Sequence, residues 1–474
     1  MVKPVEGAPD GGIYGTIRMS NGQDRGSIAY VVVLTLVAAL GGLLFGYDTA
    51  VVSGAIGYLQ KHFALDDLWT GWAASCALVG CMIGASAAGA LSDRLGRKKA
   101  LLLSAVLFAG SAVGAAVPRN LSEFVAARIL TGIGVGMASM LSPLYIAEVS
   151  PARLRGRLVS VNQFAIVSGI MIVYFVNALV AGFGDSAWNE SVGWRWMFAS
   201  GVLPAVLFLV LLCVVPESPR WLLKQGQTER ARRVLTRVGG QDHARAEIEE
   251  IRAALLHEGG SLRQLLQPGI RLALLIGVAL AVLQQVTGIN TVLYYGPEIF
   301  KKAGLGAMDA LWQNVLVGVV NMAFTIIAIW VVDRLGRKPL LLLGSAGMGL
   351  SLVMLTLSIE RWRGPWVLVS ALAYVAFFAV ALGPVVWVVI AEVFPTRIRG
   401  RAMSVATVLL WVSCFLVSQF FPYILDRLGG YTFLIYAVMC LVCLGFVQCL
   451  VPETKGKTLE EIERGWAQPP RPAP

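Results

Sequence analysis

Two charges and a small set of amides stand inside stretches that are otherwise apolar. Asp48 and Arg128 each lie well within a long hydrophobic run. Charges in a bilayer are costly and mark pathways for ions or protons. Burial favours a neutral carboxyl and a nearby guanidinium favours the ionised one, so a small rearrangement can move the proton. The amides are Gln163, Gln284, Gln285, Asn290 and Asn321. Amides both donate and accept, which suits a neutral ligand bearing several hydroxyls. An ionic ligand would call for fixed charges instead. The competing reading is that these amides tie helices together. Phe45, Phe378, Trp387 and Trp411 offer aromatic faces to the C–H side of such a ligand, although an aromatic in a membrane helix more often faces lipid or core.

The elements that must position these groups are membrane spans. The chain has 474 residues, 57% of them hydrophobic and 14% charged. A soluble domain carries roughly 25% charged residues. About 20 mainly apolar residues cross a bilayer as a helix. Runs of that kind fall at 30–57, 70–92, 99–117, 122–147, 158–182 and 195–215, and again at 270–300, 310–332, 339–359, 366–391, 402–425 and 431–451. Between the two sets lies a polar stretch, 216–269, in which 227–239 and 242–257 read as short amphipathic helices under the cytoplasmic face. The net charge of +11 does not point to nucleic acid, because the basic residues sit in short loops between the spans. Loops 93–99, 148–157, 333–338 and 392–401 hold thirteen Lys and Arg against eight in the six loops of the other side. The denser side is expected in the cytoplasm, together with both termini. With span one starting inside, Asp48 falls about 16 Å from the outer end of its helix and Arg128 about 9 Å into its own.

Other signals read as packing. The seven cysteines lie in apolar runs, and the Cys440–Cys443 pair has no partner pair for a metal or redox centre. Gly132, Gly134 and Gly136 follow no strand, so they are helix-packing glycines and not a nucleotide loop. Residues 1–29 lack the basic start, short apolar core and cleavage site of a signal peptide and are expected to form a mobile cytoplasmic tail.

The two sets of spans echo each other. Asp93-Arg94-Leu95-Gly96-Arg97-Lys98 recurs as Asp333-Arg334-Leu335-Gly336-Arg337-Lys338. The run from Glu148 through Pro151, Arg153, Arg155 and Gly156 to Arg157 recurs from Glu392 to Arg401. Pro216-Glu217-Ser218-Pro219-Arg220 is answered by Pro452-Glu453-Thr454-Lys455-Gly456. The spacing of about 240 residues marks an internal duplication. Two repeats about an axis along the membrane normal, with a site between them, is a design for alternating access.

With these motifs in this order, and with Gln284-Gln285-Val286-Thr287-Gly288-Ile289-Asn290 ahead of a tyrosine pair, the chain resembles a sugar porter of the major facilitator superfamily. It is similar to bacterial xylose and glucose proton symporters and to animal glucose facilitators, over residues 30 to 463. The resemblance implies an all-α membrane protein of twelve transmembrane helices in two six-helix bundles. Its parts would be a tail (1–29), a first bundle (30–215), a cytoplasmic helical linker (216–269), a second bundle (270–451) and a second tail (452–474). It implies a monosaccharide and protons as partners, no cofactor, no metal, no nucleic acid, no enzymatic activity, a monomeric state, and a plasma or bacterial inner membrane. Gln163, Gln284, Gln285, Asn290, Asn321 and Trp387 match the family's sugar ligands, and Asp48, with Arg128 as counter-charge, matches its proton-coupling aspartate.

Departures from the xylose symporter carry information. Ile170 stands where it has a glutamine, Leu410 where it has a polar amide, and Leu382 where it has a bulky aromatic. These favour a hexose, glucose above all, over xylose. Gly201 stands where the symporter has a glutamate, which removes any relay through that carboxylate. Gly89 heads the first loop motif but Ile329 the second, so a tight helix contact is expected only in the first half. Arg94, Glu148, Arg155, Glu217, Arg337, Glu392, Arg399 and Glu453 resemble an intracellular gate in which acid–base pairs form across the halves. Proton-coupled symport is the leading expectation. A facilitative uniporter and a sugar sensor are the alternatives; the short tail after the last span disfavours the sensor.

Overall fold

The computed structural model describes residues 26–256, 270–362, 364–394 and 399–455, with the side chains of Asp333, Ala391 and Arg399 outside that description. Among the described residues, eleven helical stretches are long and apolar enough to cross a membrane. The last, Gly400–Leu450, has 51 residues, about 76 Å of helix against a hydrocarbon core of about 30 Å. It turns at Gly429–Tyr431, so it makes two crossings and the spans number twelve.

They run as span 1 (Ile28–Ala50, then Val52–His62), span 2 (Asp67–Leu95), span 3 (Arg97–Ala116), span 4 (Leu121–Val149), span 5 (Arg155–Ala181) and span 6 (Trp194–Ala199, then Val202–Val214). Three short helices follow: Pro219–Lys224, Thr228–Gly239 and Gln241–Leu256. The second set is span 7 (Ile270–Val286, then Ile289–Lys302), span 8 (Ala307–Leu335), span 9 (Arg337–Leu357), span 10 (Pro365–Val380, then Leu382–Val393), span 11 (Arg399–Leu428) and span 12 (Thr432–Leu450).

The duplication in sequence is a duplication in packing. Span 1 packs on span 5, span 2 on span 4, and span 3 on spans 4 and 6. Six spans later, span 7 packs on 11, span 8 on 10, and span 9 on 10 and 12. The two halves meet where span 2 lies on span 11 and span 5 on span 8. Without a hydrophobic drive between helices in lipid, close approach depends on small residues. A methyl at Gly132 would lie 1.8 Å from the Ala77 carbonyl, and one at Gly136 2.3 Å from that of Cys81, so these glycines seat span 4 on span 2. Gly89 is different: it is exposed, with nothing within 4 Å of an added Cβ. The tight contact expected there is not made, because the face of span 2 that carries Gly89 is open, while Ala88 and Ser92 on its other faces are buried.

The ends carrying the repeated Asp-Arg-Leu-Gly-Arg-Lys loops form one basic face. The short helices build their own small core there from Leu222, Ala231, Val234, Leu235, Ala244, Ile248 and Ile251. They are tied to the first half by the Ser27 N–H on the Arg237 carbonyl at 3.0 Å and by an Arg155–Glu247 ion pair at 3.4 Å.

Candidate functional site

Four of the described spans are broken, and the breaks of spans 7 and 10 are bonded to each other. Span 7 stops at Thr287 and restarts after Gly288, whose left-handed φ of 93° only glycine adopts freely. Span 10 breaks at Ala381, ahead of Gly383-Pro384. Neighbouring helices bond the backbone at the breaks, where lipid offers no partner. Tyr374 of span 10 donates its hydroxyl to the Thr287 carbonyl at 2.9 Å. Gln284 of span 7 donates its amide to the Leu382 and Gly383 carbonyls at 2.7 and 3.1 Å. Spans 1 and 6 break at Val51 and at Ser200–Gly201, and Asn177 of span 5 donates to the Val51 carbonyl at 3.1 Å.

From Gln284 a line of amides runs across span 7. Gln285 Nε2 donates to Gln284 Oε1 at 3.2 Å, and Asn290 Nδ2 donates to Gln285 Oε1 at 2.5 Å and to Cys414 Sγ of span 11 at 3.1 Å. Gln284 and Gln285 are buried and Asn290 is half-buried. Gln284 thus ties spans 7 and 10, as the helix-tying reading of these amides expects, while Asn290 is half-buried. Phe45 of span 1 and Trp411 of span 11 meet as a tilted pair, ring centroids 5.6 Å apart, and the Trp411 indole N–H has no partner among the described residues. Phe378 lies beside the span 10 break, 3.3 Å from an added Cβ at Gly383, and Trp387 is half-buried one turn beyond. On span 5 Gln163 is half-buried and Ile170 buried, while Ser168 touches Met322, the neighbour of Asn321, at 3.8 Å. Asn321 is 4% exposed, and neither it nor Gln163 makes a hydrogen bond among the described residues. Leu382 and Leu410 are buried. Cys414 was missed in the sequence because a cysteine in an apolar run reads as packing; its contact with Asn290 depends on which face of span 11 meets span 7.

In the first half, Asp48 and Arg128 are brought together, at 6% and 2% exposure. The contact is not the ion pair expected: Arg128 Nη2 donates to the backbone carbonyl of Asp48 at 3.1 Å, and its guanidinium lies over the Phe198 ring at 5.4 Å. The Asp48 carboxyl stands next to a cation without forming an ion pair to it among the described residues. A Cβ at Gly201 would lie 3.8 Å from Asp48 Oδ1. Tyr47 and Ser200 share a hydroxyl bond of 2.7 Å alongside.

The charges of the basic face close within each half. In the first, Arg97 pairs with Glu148 at 3.0 Å and Asp93 at 3.0 Å, Ser218 donates to Glu148, and Glu217 accepts from the Lys98 N–H at 3.0 Å. In the second, Arg337 pairs with Glu392 at 3.1 Å, Thr454 donates to Glu392 at 2.6 Å, and Glu453 accepts from the Arg337 and Lys338 N–H groups at 3.1 and 3.0 Å. Glu217 and Glu453 thus cap the N-termini of spans 3 and 9, where a carboxylate meets free N–H groups and the positive end of the dipole. Burial raises the pKa of Glu453, but the N–H groups of Lys455, Arg337, Lys338 and Thr454 outweigh it and hold the carboxyl below its usual range. Three expectations need correction. Arg94 faces outward and makes no ion pair among the described residues, since Gly96, at φ 98°, ends span 2 and turns Arg97 inward in its place. The equivalence of Arg97 with Arg337 in the repeat was the available signal. Arg155 pairs with Glu247 of the short helices and not across the halves. The pairs described here do not bridge the halves. The side chain of Arg399 lies outside the described residues.

Bonds between the halves run from the seam toward the opposite face. Ser75 donates to Gln419 at 2.8 Å, Gln419 to the Leu68 carbonyl at 2.9 Å, Asn314 to Ser53 at 3.3 Å and Tyr174 to the Leu293 carbonyl at 2.6 Å. Lys301 lies over the Tyr58 ring at 5.6 Å. That face is closed.

Residues 34–466 match the family model described as "Sugar (and other) transporter". The chain belongs to the sugar transporter family. As a member it is a multi-pass membrane transporter and not an enzyme. It is 44% identical to the arabinose-proton symporter of Bacillus subtilis, covering 93% of this chain and 96% of that one. It is equally similar, at 44%, to the D-xylose-proton symporter of Escherichia coli, covering 92% and 96%. The glucose transport protein of Synechocystis is 41% identical, covering 94% and 99%. Among solved structures, the partially occluded inward-open conformation of the xylose transporter XylE from E. coli matches with a TM-score of 0.82 and 43% identity, covering 91% of this chain and all of that one. The XylE structure bound to 6-bromo-6-deoxy-D-glucose matches at 0.78 and 43% identity, covering 92% and 99%. The family fold is thus the twelve-helix major facilitator fold.

Proposed function

We propose that this transporter carries a neutral monosaccharide, a hexose such as glucose, together with a proton, by alternating access from a site between its halves. The observation that carries the reading is the polar seam at the broken spans. The span 7 amides, with Asn321 on span 8, Gln163 on span 5 and the Phe45–Trp411 pair between spans 1 and 11, make a set that suits hydroxyls on one side and C–H groups on the other. Asp48 next to Arg128 supplies the titratable group. The printed names of the arabinose- and xylose-proton symporters support coupling. The basic face is the cytoplasmic one, with the ends of the described chain, Ser27 bonded to Arg237 and Lys455 to Arg334, on that side, and one chain contains a whole site and needs no second copy. Ile170, Leu382 and Leu410, all buried, replace the polar or bulky groups of a xylose site and support a hexose.

The test is uptake of labelled glucose, galactose, xylose and arabinose into proteoliposomes, at equal and unequal pH. Glucose taken up in preference to both pentoses supports the reading, and a pentose preference overturns the hexose assignment. Facilitative uniport is the second reading, favoured by one observation: Gly201 places no second carboxylate beside Asp48. Uptake indifferent to the pH gradient would establish it.

A further inference from the structure

The direction of the amide line is dictated by its end. Carbonyl oxygens only accept, so Gln284 must turn its amide N–H groups to Leu382 and Gly383. That leaves Gln284 Oε1 facing Gln285, which must donate to it. Gln285 Oε1 then faces Asn290, which must donate in turn. An asparagine amide has two N–H groups. One of Asn290's goes to Gln285 and the other to the sulfur of Cys414, which is 1% exposed. What the half-buried Asn290 retains is its carbonyl oxygen, an acceptor.

We propose that Cys414 is a positioning residue of the sugar site, fixing Asn290 as an acceptor so that the transporter requires a donating hydroxyl at that point of the sugar. The proposal rests on the site assigned above. Without the sulfur, the second N–H of Asn290 is released and the amide can turn, presenting either edge. The site then keeps an asparagine but loses its selectivity for a hydrogen-bond donor. A fluorine in place of a hydroxyl reads this out, since it cannot donate.

The experiment uses the full-length protein in detergent and in proteoliposomes, with D-glucose, D-xylose and their mono-deoxyfluoro derivatives as probes. Cys414→Val keeps the volume and removes the acceptor; Cys414→Ser keeps an acceptor. In wild type, one fluorinated position should cost about tenfold or more in affinity. Cys414→Val should weaken binding of the parent sugar about three- to tenfold, raise KM with little change in kcat, and shrink the penalty at that one position. Cys414→Ser should restore affinity and penalty to within about twofold. Equal affinity and an unchanged fluorine profile in Cys414→Val overturn the proposal. So does an equal loss in both variants, which marks a merely structural cysteine. Asn290→Ala separates the two levels. If it leaves binding unchanged, the site itself is misplaced. If it weakens binding while Cys414→Val is silent, only the role of Cys414 fails.

Discussion

Gln284 and Asn290 belong to one line of amides, yet their removal should have different consequences. Gln284→Ala takes both hydrogen bonds from the Leu382 and Gly383 carbonyls and leaves Gln285 without its acceptor. A buried group left unsatisfied costs about 1–3 kcal/mol, and interhelical bonds in membranes average about 0.6 kcal/mol. Two lost bonds and an orphaned donor therefore cost roughly 2–4 kcal/mol. At about 2–4 °C per kcal/mol for a unit the size of one half, the unfolding midpoint should fall on the order of 5 °C or more. Asn290→Ala removes a half-buried group and leaves Gln285 Oε1 without its donor, while Gln285 keeps its bond to Gln284. It should lower the midpoint by less than Gln284→Ala does and weaken sugar binding about 5- to 150-fold, the equivalent of 1–3 kcal/mol. Both quantities come from one preparation: the midpoint by intrinsic fluorescence in detergent, the affinity by equilibrium binding of labelled sugar. A Gln284→Ala protein as stable as wild type would refute the view that this amide ties span 7 to span 10. So would an Asn290→Ala protein that loses stability but not affinity.

Further consequences can be measured. Glu392→Gln removes the charge that holds Arg337 and should slow transport and raise labelling of a cysteine placed in the basic-face opening, because closing that face brings both clusters together; unchanged labelling and transport would reduce the clusters to local capping. Glu453→Gln should lower the thermal midpoint at pH 7. The carboxylate's contribution is complete above its unfolded pKa of about 4.3 and is lost as the pH falls through its lowered folded value, so the gap to wild type should close in acid, and a pH-independent gap would contradict this. Gly336→Ala forces a side chain into a φ of 97° and toward Glu453 Oε2 at 2.8 Å; it should cost about 1–3 kcal/mol, read as an earlier denaturation midpoint, and an unaltered midpoint would mean the turn can relax.

Much of this architecture was legible in the sequence because lipid imposes a simple code. A run of about 20 apolar residues means a crossing, and the repeat of Asp93–Lys98 at Asp333–Lys338 announces two equivalent halves. Glycine and proline mark the breaks at Gly288 and Gly383-Pro384, but the same signal at Gly296-Pro297 misleads, since the helix Ile289–Lys302 runs through it. What could not be read was direction. Whether the charges near Glu148 and Glu392 pair within a half or between halves depends on how the halves are tilted, which no local pattern encodes. The same holds for Arg128, which lies beside Asp48 but bonds its backbone. Depth along a helix follows from counting residues, while the atom a guanidinium meets depends on side-chain rotation. Gly89 was misjudged for a related reason: a glycine permits close approach, and only the neighbouring helix decides whether it is used.

The central claim is that a proton moves with the sugar through Asp48, and accumulation against a gradient tests it most directly. Wild type and Asp48→Asn are reconstituted into liposomes of known pH difference, and internal labelled sugar is measured at steady state. With one proton per sugar, a gradient of one pH unit, about 1.4 kcal/mol, supports about tenfold accumulation. Wild type should approach that ratio, while Asp48→Asn should equilibrate sugar to a ratio near one and still exchange it. Wild type that never exceeds a ratio of one, or an Asp48→Asn protein that still concentrates sugar, would contradict the account.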